Sequence, residues 1–162
     1  MVICFSALDE IADWAVFGPN HHAAVVALRM HLRPGMNEHA EALKKRTKQF
    51  ALDVLALTRT LPETDEARTI ARQLIRSGTG VGANYRATCR ARSRAEFVAR
   101  VGVALEEADE SGFWLEILTE GRISISNRAL ELLEEANQLS AILAASSITA
   151  SESLRRAETR RR

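Results

Sequence analysis

From about residue 38 the apolar positions of the chain fall at alternating steps of three and four, the spacing of a seam along an α-helix. Ala40, Leu43, Phe50, Val54, Leu57 and Leu61 form the first seam, with Thr47 at its one polar step and Leu52 and Leu55 widening the stripe. This predicts a helix over about 38–60, ended by Pro62, which cannot donate to the preceding turn. A second helix is predicted to begin near Thr64, an N-cap followed by Asp65 and Glu66 where the helix dipole favours anions. Its first apolar face is Ala67, Ile70, Ala71, Leu74 and Ile75. Ser93-Arg94-Ala95-Glu96 has the form of a capping box, with Ser93 and Glu96 as its two partners, and Phe97 follows at once. The third helix is therefore predicted over 94–120, on the seam Phe97, Val101, Ala104, Ala108, Ser111, Leu115 and Leu118, with Gly121 as the C′ residue. A fourth is predicted from Ser126 to about Ala145 on Leu132, Ala136, Leu139 and Leu143, broadened by Leu130 and Leu133.

Residues 77–84, Ser-Gly-Thr-Gly-Val-Gly-Ala-Asn, test the second helix, because each glycine costs an interior turn about 1 kcal/mol. The seam Ile70, Leu74, Ser77, Val81 nevertheless passes straight through. The stretch therefore reads as a helix kept thin at a close helix crossing, with Ser77, Gly78, Gly82 and Asn84 as structural residues. A loop splitting the helix is the competing reading. Asn84 falls three residues after Val81, on or beside the seam, where a polar residue fixes register through buried hydrogen bonds. The string also matches a loose G-x-G-x-x-A, but a dinucleotide fingerprint needs a preceding strand, and residues 69–76 are helical in period. Four helices with short connections predict an all-α, antiparallel up-down-up-down four-helix bundle over residues 37–150. Residues 151–162 are polar and end in three arginines, which predicts a disordered basic tail. Residues 1–36 differ in kind, carrying Gly18-Pro19, Pro34-Gly35 and three of the four histidines. They read either as a mispredicted extension upstream of Met36 or as an N-terminal arm packed on the bundle.

Composition narrows the function. The chain has 162 residues, 46% hydrophobic, 27% charged and only 5% aromatic, a balance that suits aliphatic helix packing in one domain. Cys4 and Cys89 are far apart and have no partners at ligand spacing, so neither a disulfide framework nor a zinc site is indicated. No run approaches the roughly 18 apolar residues of a membrane span, and no secretory signal is legible, so a cytoplasmic location is expected. After Met36 the only histidine is His39, which leaves no Glu-x-x-His pair for a di-metal bundle and no histidine for a catalytic triad. No enzyme, cofactor or small-molecule substrate is expected.

The net charge is +1, but its distribution is uneven. Between Arg68 and Arg100 stand eight arginines against the single acid Glu96, a local balance of +7. Arg68, Arg72 and Arg76 follow at four-residue steps and form one ridge, and Arg86 and Arg90 repeat the step. These five are the candidate nucleic-acid contacts, through the phosphate backbone rather than base readout. The third helix supplies the alternative: Glu106, Glu107 and Glu110 lead a run of acids with no base among them and could pair with the arginines, within a subunit or across an interface. Phe113 and Trp114 flank the seam on adjacent positions, so one must face away from the core and mark a partner surface.

Several of these segments together resemble a known family. They are Lys44-Lys45-Arg46, the run Arg76 to Asn84, Ser93-Arg94-Ala95-Glu96-Phe97, and Ala104-Leu105-Glu106-Glu107-Ala108 leading to Trp114-Leu115. Over about residues 41–145 the chain resembles the bacterial four-helix bundle proteins found as open reading frames in 23S rRNA intervening sequences. The resemblance implies a homopentameric up-down bundle with no established enzymatic activity. A related accessory protein of diversity-generating retroelements, similar in fold, associates with nucleic acid, which by analogy favours RNA or DNA as a partner here. Two departures stand out. The family's acidic segment after the Asn is replaced here by Tyr85-Arg86-Ala87, and residues 1–36 have no counterpart.

Overall fold

The computed structural model describes residues 34–160, and the expectations for residues 1–33 and for Arg161 and Arg162 lie outside them. Four α-helices make up the described chain: α1 (Pro34–Thr58), α2 (Asp65–Thr88), α3 (Arg94–Glu120) and α4 (Asn127–Arg160). Each packs on the next, and α1 closes the ring against α4 along the loosest of the four contacts. The cross-contacts fix the directions. Val54 lies against Gly78 and Thr47 against Gly82, so α2 runs opposite to α1. Ser77 meets Ser111 while Gly80 meets Glu107, so α3 reverses again. Arg46 meets Glu135 and Asp53 meets Arg128, so α4 runs opposite to α1. The architecture is the antiparallel four-helix bundle that the seams predict.

The core is built from those seams. Phe50, Val54, Leu57, Leu74, Val81, Val101, Leu115, Leu118, Leu139 and Leu143 are all at most 2% exposed. Thr47, the one polar step of the first seam, is buried with its hydroxyl donated to the Lys44 carbonyl at 3.2 Å. The caps also form. The Thr64 side chain accepts from the Ala67 N–H and that of Ser93 from the Glu96 N–H, at 3.2 and 3.1 Å. Glu96 reaches back one residue further than a capping box requires and accepts from the Arg92 N–H at 2.8 Å.

The glycine-rich stretch is continuous helix within α2. A Cβ on Gly78 would sit 2.9 Å from Val54 Cγ2, and one on Gly82 would sit 3.2 Å from the Thr47 carbonyl oxygen. The small residues therefore let α1 approach α2 backbone to backbone, and this tertiary gain outweighs their poor helix propensity.

Five expectations need correction. Leu52 and Leu130 do not widen their seams, since each is 48% exposed. Each stands two residues from a core position, a rotation of about 200°, which turns it away from the core. Residues 151–160 are not a disordered tail but the last turns of α4. No Gly or Pro interrupts that helix, Ala150 is buried in the core, and Glu152 pairs with Arg156 one turn on at 3.5 Å. Gly121 is not the left-handed residue after α3; it stays right-handed at φ −69°, and Arg122 takes φ 56°. The Ile123 N–H then bonds the Leu118 carbonyl and the Arg122 N–H bonds that of Thr119, at 3.1 Å each, the Schellman arrangement with arginine at C′. Asn84 is only half-buried, at the edge of the seam. The buried polar contact between helices is instead Ser111 Oγ to Ser77 Oγ at 3.0 Å, on two seam positions that are both fully buried.

Candidate nucleic-acid interface

The core-facing stripe of α2 centres on Leu74, Val81 and Tyr85, so the opposite side of the helix faces out. At 100° per residue, Arg68, Arg72, Arg76 and Arg86 fall on that outer side, and Arg90 follows two residues past the helix end. All five are exposed. Their surroundings differ along the row. Arg68 pairs with Asp65 at 2.7 Å, Arg72 donates to the Thr69 hydroxyl at 3.3 Å, and Arg76 pairs with Glu110 of α3 at 2.5 Å.

Arg86 and Arg90 sit differently. They border a groove of about 460 Å³ between α1 and α2, with Lys48 as a third cation and Ala51, Thr79, Gly82 and Ala83 as the floor. Among the described residues, no carboxylate lies within ion-pair distance of Lys48, Arg86 or Arg90, and none lines the groove. Lys48 was missing from the sequence-based set. It enters because Thr47 packs against Gly82, a register between helices that no local pattern carries. Two other bases at the start of α1 are occupied: Lys44 pairs with Glu41, and Arg46 holds Glu135 through two bonds of 2.7 and 2.8 Å and Gln138 through one of 2.6 Å, while Lys45 is exposed and outside the groove lining.

The acids of α3 are brought to the α2 edge, as the pairing alternative anticipates, but only Glu110 pairs with an arginine of the row. It also accepts from Trp114 Nε1 at 3.1 Å. Glu106 is exposed. Glu107 lies over Gly80, where a Cβ would come within 2.6 Å of its carboxyl carbon, and its buried Oε2 has no hydrogen-bond partner. Burial pushes the Glu107 carboxyl above the ordinary carboxylate range, the neighbouring Glu110 adds to the rise, and Arg76 opposes it. Phe113 is the outward member of its pair, 51% exposed, with its ring edge-on to Trp114 at 5.0 Å. Val103 and Ile117 extend the exposed apolar strip along the same side of α3. The sequence reading missed both because neither neighbours another unplaced apolar residue.

No helix among the described residues is long and apolar enough to cross a membrane. No curated protein matches the chain. A crystal structure of a protein of unknown function from the S23 ribosomal protein family of Bacteroides thetaiotaomicron VPI-5482 is similar to it. The match has a TM-score of 0.59 and 28% identity, and covers 64% of this chain and 96% of that one. The family model for the 23S rRNA-intervening sequence protein matches residues 41–145, a span that starts within α1, takes in α2 and α3 and ends within α4. With these helices, their seams and that match in place, the chain belongs to the 23S rRNA-intervening sequence protein family.

Proposed function

We propose that the protein is a non-enzymatic, self-associating bundle that binds nucleic acid through the phosphate backbone, RNA before DNA given the family. The observation that carries this reading is the groove between α1 and α2, where Lys48, Arg86 and Arg90 converge and no acid lines the walls. Three unneutralised cations over a floor of small side chains suit a phosphate chain, and such contacts hold a strand without reading its sequence. Arg68, Arg72 and Arg76 extend the positive row along α2. The charge reversal Arg86→Glu/Arg90→Glu tests it. Fluorescence anisotropy with a labelled structured RNA is expected to show at least tenfold weaker binding, with the helical circular dichroism and the sedimentation coefficient unchanged. Unchanged RNA affinity would refute the assignment.

A second reading, a protein-binding scaffold, is favoured by the exposed strip Val103, Phe113 and Ile117 on α3. In the proposed account that strip serves self-association, with five subunits expected from the family resemblance. Phe113→Asp leaves the core intact and is expected to shift the sedimenting species to the monomer while the monomer keeps its RNA contacts.

A further inference from the structure

The exposed side of α3 has a repeat of its own. Glu106, Phe113 and Glu120 follow at seven-residue steps, each two helical turns or roughly 10.5 Å, so an acid stands on either side of Phe113 along one line. All three are exposed, and among the described residues neither Glu106 nor Glu120 is in an ion pair. The exposed side of α1 carries the complement. Lys45, Leu52 and Arg59, the last directly past the helix end, follow at the same step, so a base stands on either side of Leu52. These three are exposed as well, and among the described residues Lys45 and Arg59 have no acidic partner.

The two stripes match acid to base and apolar to apolar, yet they cannot meet within one chain. Helices α1 and α3 stand at diagonal corners of the bundle, each packed on α2 and α4 and not on the other. No other face among the described residues offers the same match. The outer side of α2 has arginines but no exposed large apolar residue to meet Phe113, and its Arg76 is already held by Glu110. On α4 the exposed Leu130 is followed seven residues on by Asn137, and the exposed Ile148 is preceded at that step by Ala141, so neither is flanked by two bases. Leu52 is. In such a contact the apolar centre supplies the adhesion, and the charges at both ends set the register and reject alignments that bring like charges together.

We infer that the α3 stripe of one copy docks on the α1 stripe of a second copy, with Phe113 against Leu52 and the two glutamates against Lys45 and Arg59, an inference that rests on the self-association reading above. The contact is head-to-tail: each copy offers α3 to one neighbour and α1 to another, so assembly passes from copy to copy instead of stopping at a two-fold pair. Sedimentation velocity of the full chain across a concentration series tests it. Glu106→Lys/Glu120→Lys and Lys45→Glu/Arg59→Glu each set like charges across the contact and are each expected to weaken association at least about tenfold. The quadruple variant that combines them restores opposite charges and is expected to regain most of the loss. All four side chains are exposed, so the helical circular dichroism of every variant is expected to match the parent. An associating parent whose Lys45→Glu/Arg59→Glu variant associates equally well would overturn the docking inference and leave self-association standing. A quadruple variant no better than the two doubles would also overturn it. A parent that stays monomeric at every concentration would overturn the inference together with the reading on which it rests.

Discussion

At Arg122 the backbone enters the left-handed region at φ 56°, a conformation that a side chain with a Cβ adopts at a cost and glycine adopts freely. The Schellman bonds to Leu118 and Thr119 hold it there. Arg122→Gly is therefore expected to stabilise the protein by about 1 kcal/mol, read as a rise in the thermal midpoint of roughly 2–4 °C. Glu107 carries a different kind of cost. Its carboxyl is half-buried over Gly80, has one oxygen without a partner, and is raised chiefly by that burial. A carboxyl held higher in the folded than in the unfolded chain favours folding below its unfolded value and loses that contribution as the pH rises through its folded one. Glu107→Gln is thus expected to melt higher than the parent at neutral pH. The difference should vanish as the pH falls below the unfolded carboxyl value of about 4.3, checked by thermal melts across that interval. Asn84 illustrates what residue type alone does not reveal. A polar residue near a seam is equally compatible with its edge and its centre, and here the centre belongs to Ser77 and Ser111.

Among the elements, α2 depends most on its neighbours. Its glycines are intelligible only as part of the α1–α2 crossing, and two substitutions separate propensity from packing. A methyl group added at Gly102 on α3 would meet nothing within 4 Å, so Gly102→Ala is expected to stabilise by about 0.5–1 kcal/mol. Gly78→Ala gains the same propensity but drives its methyl to 2.9 Å from Val54, which is itself fully buried. It is expected to fall below Gly102→Ala by about 1–3 kcal/mol in urea midpoints. The helices themselves were legible because their seams keep the three-and-four spacing over several turns, as Phe97 to Leu118 does on α3. The end of α4 was not. Apolar spacing fades after Ala150, and the polar residues that follow are good helix formers held by local pairs such as Glu152 with Arg156.

Over the whole molecule, opposite charges are sorted onto adjacent helices, bases on the outside of α2 and acids on α3, and the bundle brings them together at only one arginine of the row, Arg76. The row itself could be read from its four-residue steps. Its completion by Lys48 could not, because that requires knowing which turn of α1 lies against Gly82. The loosely packed α1–α4 edge is closed by Arg46 with Glu135 and by Arg128 with Asp53, so that side of the molecule is internally neutralised and the groove on the other side of α1 is not. The measurement that bears most directly on this account is the salt dependence of RNA affinity, compared between the parent and the triple variant Lys48→Ala/Arg86→Ala/Arg90→Ala. Phosphate contacts by three cations release counterions, so log affinity against log salt should lose roughly two to three units of slope in the variant. An affinity that does not change with salt, or a slope the variant shares with the parent, would contradict the groove as the nucleic-acid surface.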